Sequence, residues 1–265
     1  MELHHQLVGA QSPQGRPMVF LHGLFGQGRN FARIAKALAD RHPTLAAALV
    51  DLPNHGRSPW TDSIDYQDMA GAVAEFIRAW SPGVPVVLLG HSMGGRTAMQ
   101  LALRWPELVE RLVAVDISPV AGDSSSSVFA DLISGLRKLD LATVETRGQA
   151  NEALTPFIPH PTIRGFLLQN LRRGDRGWHW QCNLDLIESH LDDVAAWPST
   201  GLGTFEGPVL WVKGQLSAYV KPEYRPAMGR YFPRHRLVTV KEAGHWVHSE
   251  QPQVFTSLVD QFLSD

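Results

Sequence analysis

The chain has 265 residues, of which 44% are hydrophobic and 19% charged, and its formal net charge is −2. This composition is typical of a globular protein and excludes a largely disordered chain. No basic stripe interleaved with aromatic residues occurs, which predicts that nucleic acid is not a partner. The single cysteine, Cys182, excludes an intrachain disulfide. No apolar run is long enough to span a bilayer and the amino terminus has no secretory pattern, which together predict a cytoplasmic protein.

Apolar runs alternate with segments of helical spacing along most of the chain. In chain order, the pattern predicts strands over 17–21, 44–50, 84–89 and 112–115, and helices over 30–41, 66–80 and from 93 onward. Two further strands are predicted over 208–212 and 236–240, and a last amphipathic helix over 252–263. Such alternation favours a mainly parallel sheet covered by helices on both faces.

The alternation stops between Ser118 and Phe205. Helical periodicity continues there without a recognisable strand, and Pro198, Gly201 and Gly203 mark a return linker. We therefore predict a core domain made of residues 1–117 and 206–265. Residues 118–205 are predicted to form a helical cap inserted between two strands of the sheet.

The segment Gly90-His91-Ser92-Met93-Gly94 carries the clearest chemical signal. It follows an apolar strand and precedes a helix, the context in which Gly-x-Ser-x-Gly presents a serine on a sharp strand-to-helix turn. The strained turn needs very small neighbours, which Gly90 and Gly94 provide. Ser92 is therefore predicted to be a nucleophile.

A serine hydroxyl needs a general base, and a third group must orient that base. His245, in the glycine-containing loop between the last strand and the last helix, is the predicted base. Asp116, at the carboxyl end of the strand over 112–115, is the predicted acid; its alternative is a helix cap. His248 is the rival base, interpreted as a packing residue. Asp51 also ends a strand and is interpreted as a loop or packing residue.

The oxyanion that develops during acyl transfer needs two preorganised donors. The N–H of Met93, directly after the nucleophile, is predicted to be one. The other is expected in the loop that follows the first buried strand, with Leu24 N–H preferred and Phe25 second.

Four aromatic side chains are predicted to contact the substrate: Phe25, His91, Trp180 and Trp246. His91 is also expected to shape its own turn. Arg172 and Arg173 in the cap have two interpretations, a solvated charged face or a contact for an anionic head group. No metal-ligand or phosphate-loop motif occurs, which predicts an enzyme without a cofactor.

Several of these segments together resemble the α/β-hydrolase superfamily, and most of all the small YbfF-type acyl esterases. The resemblance rests on residues 21–26, 51–58, 90–95, 115–119 and 244–248, with cap residues 180–184. It implies a mostly parallel sheet of about eight strands, with the cap inserted after the sixth. Most of the superfamily carries the acid in a turn that here reads Gly214-Gln215-Leu216-Ser217. Ser217 replaces that aspartate, as in the YbfF-type group, which supports the assignment of Asp116.

These residues predict a hydrolase that cleaves a carboxylic ester, or an acyl thioester, through an acyl-enzyme formed on Ser92. Two alternatives stay open: a ligand receptor on the same fold with slow or vestigial hydrolysis, or a hydrolase of narrow specificity for another acyl bond. Sustained turnover distinguishes an esterase from a receptor.

Overall fold

The computed structural model describes residues 1–122, 125–175 and 177–265, without the side chains of 125–127. Nine strands occur in the described residues, and seven of them form one sheet. The strands are β1 (His5–Gly9), β2 (Arg16–Leu21), β3 (Leu45–Val50), β4 (Val86–His91), β5 (Val109–Val115), β6 (Leu171–Gly174), β7 (Gly177–Trp180), β8 (Val209–Gly214) and β9 (His235–Val240).

The order of strands in the main sheet is β1-β3-β2-β4-β5-β8-β9. Only β1 runs antiparallel to its neighbour, and the remaining pairs are parallel. The segment after β4, which contains Ser92, therefore leaves the middle of the sheet. In a parallel sheet the carboxyl ends of all strands lie on the same side, and ligands bind on that side.

Helices cover both faces of this sheet. The α-helices of the described residues are α1 (Ala32–Ala39), α2 (Tyr66–Trp80), α3 (Met93–Arg104), α4 (Ser125–Arg137), α5 (Arg147–Ala153), α6 (Pro161–Leu167), α7 (Leu184–Ser189), α8 (Leu191–Ala195), α9 (Arg225–Tyr231), α10 (Val247–Glu250) and α11 (Pro252–Ser264), of which α4 to α8 belong to the 118–205 segment. All six residues of β4 are buried, as a strand covered on both faces requires. Val19 and Leu88 belong to one apolar core cluster and Phe20 and Leu89 to the other, because successive side chains point to opposite faces.

The elements predicted outside the 118–205 segment agree closely with the structure. One strand was missed: β1, whose sequence His5-Gln6-Leu7-Val8-Gly9 has only two strongly apolar residues because it lies at an edge of the sheet. The main sheet thus has seven strands in the described residues, against the expected eight or so. The 118–205 segment follows the fifth strand along the chain, one strand earlier than expected.

The expectation that residues 118–205 contain no strand was wrong. Helices α4 to α8 lie in this segment, but β6 and β7 form an antiparallel hairpin between them. The hairpin is short and mostly solvent-exposed, so it lacks the apolar run by which the core strands were recognised. No helix in the described part of the chain is long and apolar enough to cross a membrane.

Candidate active site

Ser92 occupies a strained turn between β4 and α3. Its backbone has φ 54° and ψ −118°, a conformation that non-glycine residues rarely adopt. A Cβ atom at Gly90 would overlap the carbonyl of Gly94, and one at Gly94 would overlap the carbonyl of Leu21. Glycine at both positions therefore allows β4 and α3 to meet at this angle. Met93 is the first residue of α3, so its N–H has no acceptor within the helix.

His245 and Asp116 are in direct contact, although 129 positions separate them in the chain. The distance from His245 Nδ1 to Asp116 Oδ2 is 2.8 Å, and Asp116 is completely buried. The other carboxylate oxygen accepts a hydrogen bond from the N–H of Gly214 at 3.0 Å. With its Nδ1–H donated to a carboxylate, the neutral imidazole carries its lone pair on Nε2, the tautomer that a general base requires.

Ser217 supplies a third hydrogen bond to the Asp116 carboxylate. Its hydroxyl donates to Oδ2, the same oxygen that accepts from His245. Ser217 stands in the turn where most of the superfamily carries the acid. The Ser217 hydroxyl therefore lies where most of the superfamily has an aspartate, and it binds the carboxylate of Asp116. The departure was visible in the sequence, but the contact was not, because Ser217 and Asp116 are 101 positions apart.

The His245 ring lies between two aromatic residues. Tyr219 stacks on it with ring centroids 4.1 Å apart, and His91 lies 4.7 Å away on a tilted plane. His91 Nε2–H donates to the His245 carbonyl at 2.9 Å, which joins the β4 turn to the His245 loop. Burial lowers the pKa of His91 well below its usual value, so this ring is neutral. His91 is buried and its Nε2–H is donated to the His245 carbonyl; its contact with the substrate stays a prediction.

The loop after β2 lies against Ser92. A Cβ atom added to Gly23 would lie 2.8 Å from His91 Nδ1 and 3.2 Å from the Ser92 Cβ, so glycine leaves room for this close approach. His22 holds the loop: its Nδ1–H donates to the Gly23 carbonyl at 2.8 Å, while Nε2 accepts from Leu52 N–H at 3.0 Å. Burial lowers the pKa of His22 to about 4, which keeps it neutral as this pattern demands. Among the described residues, no hydrogen bond uses the N–H of Leu24.

Asn170 connects the 118–205 segment to the same loop. Its side-chain amide donates to the Phe25 carbonyl at 2.7 Å, and its Oδ1 accepts from Gln27 Nε2 at 3.0 Å. Phe25 has φ 59°, so this hydrogen bond holds a strained residue of the loop. Sequence reasoning missed Asn170 because nothing in its local pattern marks the contact.

The other predicted substrate contacts have different surroundings. Trp246 lines a cavity of about 760 Å³, and its ring packs against Phe166 with centroids 5.9 Å apart. Phe25 is buried, with its ring edge against Phe129. Trp180 lies on β7 opposite Leu171 and does not line this cavity. Of these three residues, Trp246 is the one that lines this cavity among the described residues.

His248 and Asp51, the two rivals, have structural surroundings. His248 packs between His91 and Phe31, each with ring centroids 4.7 Å away, and burial lowers its pKa to about 3. The Asp51 carboxylate accepts backbone N–H groups from Gly28 at 2.7 Å and Arg57 at 2.9 Å. These contacts support the packing interpretation of His248 and the loop interpretation of Asp51.

The sequence and the fold of this chain resemble those of known proteins. Residues 16–252 match the model of the alpha/beta hydrolase fold family. The chain is 39% identical to the sn-1-specific diacylglycerol lipase ABHD11 of Mus musculus, over 93% of this chain and 80% of that protein. It is 28% identical to esterase YbfF of Escherichia coli over the full length of both. A solved marine microorganism esterase superposes with a TM-score of 0.91 at 34% identity, covering 98% of this chain and 99% of that one.

The named relatives are esterases and lipases, which agrees with a serine on a strained turn and a histidine–carboxylate pair in the same chain. The chain belongs to the α/β-hydrolase family and is a carboxylic ester hydrolase.

Proposed function

We propose that the protein cleaves carboxylic esters through a Ser92–His245–Asp116 triad and an acyl-enzyme intermediate. The observation that carries the proposal is the hydrogen bond from His245 Nδ1 to the buried Asp116 carboxylate. It leaves Nε2 as the basic nitrogen, in a loop tied by His91 to the turn that bears Ser92. This is the arrangement by which a histidine activates a serine hydroxyl.

In the first step Ser92 Oγ attacks the ester carbonyl while His245 Nε2 takes the hydroxyl proton. The carbonyl oxygen becomes an oxyanion, held by the N–H groups of Leu24 and Met93. The carbon–oxygen bond to the alcohol then breaks, and His245 returns the proton to the leaving alcohol. Asp116 stabilises the imidazolium formed between these events. In the second step water attacks the acyl-enzyme with the same base, and Ser92 is regenerated with release of the acid.

Residues 118–205 are proposed to form the cap that shapes the substrate site. The cavity beside Trp246 supports this assignment, because Ile163 and Phe166 of α6 form its apolar wall. Its volume of about 760 Å³ is within the usual range for small-molecule sites. We propose that it receives an apolar part of the ester, in keeping with the lipase and esterase names of the relatives.

The test is steady-state hydrolysis of p-nitrophenyl esters from acetate to palmitate. We expect sustained turnover with an optimum of chain length. Ser92→Ala should lower kcat by about 10⁶-fold, the loss seen when a triad serine is removed. Ser189→Ala is the matched control, because this exposed hydroxyl hydrogen-bonds within α7 and to the adjacent His190 ring.

Retention of half the activity by Ser92→Ala would exclude the serine from the mechanism. Binding without turnover, or a single burst, would point instead to the receptor alternative. The corresponding acyl thioesters, assayed in parallel, establish whether the thiol leaving group is accepted as well as the alcohol.

A further inference from the structure

A second cavity, of about 500 Å³, lies between the β6–β7 hairpin and the core. Four arginines line it: Arg29 and Arg57 come from the core, and Arg172 and Arg173 come from β6. The remaining lining residues are His4, Gln6, Gln27, Asp51, His179 and Gln181. The sequence had indicated only the neighbouring pair in β6. The fold adds two arginines that are more than 100 positions away along the chain.

Two of these arginines are held by neutral groups. Arg29 donates to the Gln169 carbonyl at 3.2 Å, and Arg172 Nε donates to Gln181 Oε1 at 2.8 Å. Within the described part of the chain, none of the four guanidinium groups forms an ion pair with a carboxylate. Because each guanidinium has five N–H donors, most of their donors are left for a ligand.

Asp51, the one carboxylate among the described lining residues, offsets only part of the charge of the four arginines. Both oxygens of Asp51 accept backbone N–H groups, from Gly28 and Arg57. The pKa of Arg172 is lowered, mainly by burial. The positive charges of Arg29, Arg147 and Arg57 lower it further. The cluster is thus an accumulation of like charges, which a bound anion would relieve.

We propose that this cavity binds an organic anion through a phosphate or diphosphate group. Arginine is the side chain best suited to phosphate, because its planar fork donates two parallel hydrogen bonds to two phosphate oxygens. Here two guanidinium groups line the core side of one cavity and two line the hairpin side. Its volume exceeds what an inorganic phosphate needs and leaves room for an organic group attached to it.

The cavity is connected to the loop after β2. Gln27, which lines it, donates to Asn170, and Asn170 donates to the Phe25 carbonyl. An anion that contacts Gln27 would therefore affect the position of the loop that we propose holds the oxyanion. This link between the cavity and the loop rests on the proposed function. The phosphate has two possible sources: it is carried by the ester substrate, or it belongs to a separate compound that regulates turnover.

Binding is tested by calorimetric titration of inorganic pyrophosphate into the protein at constant ionic strength. We expect saturable binding to the wild type and to Ser92→Ala, so that the result does not depend on turnover. Arg172→Gln and the exposed Arg57→Gln should each weaken binding about tenfold or more, the loss expected for a charge-assisted contact. Arg230→Gln, an exposed arginine on α9, should bind as the wild type does. Absence of saturable binding, or unchanged affinity in both cavity variants, would overturn the proposal.

The two sources are distinguished by kinetics on an acylglycerol phosphate and the matching acylglycerol. If the substrate carries the phosphate, the phosphorylated ester has the higher kcat/KM, pyrophosphate competes with it, and Arg172→Gln removes the preference. If a separate compound binds, pyrophosphate changes kcat for the neutral ester in the wild type but not in Arg172→Gln. Binding without either kinetic effect would overturn the link to Phe25.

Discussion

Asp116 is the residue on which the proposed chemistry depends most. It is buried, and its charge is supported by three donors: His245, the Gly214 N–H and the Ser217 hydroxyl. A buried carboxylate that lost one of these donors would be left partly unsatisfied, which is costly at low local dielectric. Ser217 should therefore act by positioning Asp116, without touching the substrate.

Ser217→Ala should lower kcat about tenfold to a hundredfold and leave KM unchanged, because one hydrogen bond to a charged group contributes roughly 1.5–3 kcal/mol. Ser217→Thr keeps the hydroxyl and should restore most of the rate. Steady-state kinetics across pH measures both effects. A rise in KM with kcat unchanged would contradict a positioning role.

His248 is a residue whose burial should appear in the pH dependence of stability. Its folded-state pKa of about 3 is below the ordinary value of 6.5. Between these two values the unfolded chain binds a proton that the folded chain does not, so the free energy of unfolding falls as the pH drops through this window. From pH 7 to pH 5 this one side chain should account for a loss of about 2 kcal/mol.

His248→Phe, which suits the neighbouring rings of Phe31 and Phe255, should reduce the loss between pH 7 and pH 5 by that amount. Urea unfolding at the two pH values gives the comparison. His160→Gln, at an exposed histidine, supplies the control. Equal pH dependence in His248→Phe and the wild type would rule out this explanation.

At the scale of elements, the turn from β4 to α3 depends on close contact between two backbones. The strand ends and the helix begins with no intervening loop, so Gly90 lies against the Gly94 peptide group, while Gly94 lies against the carbonyl of Leu21 at the end of β2. A side chain at Gly90 would push α3 away from β4, one at Gly94 would push it away from β2, and either would move Ser92.

Gly90→Ala should lower the free energy of unfolding by about 3 kcal/mol or more, because its Cβ would overlap backbone atoms that cannot rotate away. Gly71→Ala, in the middle of α2, is the matched control. Its nearest atom belongs to Trp105 at 3.8 Å, so the change should stabilise the helix by about 0.5–1 kcal/mol. Chemical denaturation measures both variants. Similar stability for the two would contradict the close-contact explanation.

At the scale of the whole molecule, Arg96 joins both ends of the 118–205 segment to the core. It is buried on α3, and its guanidinium donates to the carbonyls of Val194 at 2.7 Å and Val120 at 2.9 Å. The Tyr66 hydroxyl donates to the same Val194 carbonyl at 2.6 Å. These contacts tie the segment down beside the helix that begins at Ser92.

Arg96→Met should lower the free energy of unfolding by about 3 kcal/mol, since the buried Val194 carbonyl and the partly buried Val120 carbonyl both lose a charged donor. Cleavage within residues 118–205 during limited proteolysis should also become faster. Arg78→Met is the control: its ion pair with Glu107 is exposed and should contribute less than about 1 kcal/mol. Equal stability and equal cleavage rates in the two variants would show that Arg96 does not secure the segment.

The sequence by itself determined the fold class and the type of enzyme, and the comparisons confirm both. It also predicted Ser92, Asp116 and His245 as the site, which remains a proposal about their roles. These predictions were possible because each signal is local: a strand-to-helix turn leaves its mark within five residues, and strand ends are visible from apolar runs.

Only the tertiary structure decided which distant residues meet. The bond from Ser217 to Asp116 spans 101 positions, and that from Asn170 to Phe25 spans 145. The four arginines of the second cavity converge because a short, mostly exposed hairpin folds back onto the core. Such contacts depend on how the elements pack. The sequence around a polar side chain shows no periodic pattern that would identify its distant partner. The local sequence therefore specified most elements of the core and the strand-to-helix turn at Ser92, while packing determined which side chains support that turn and formed the second cavity.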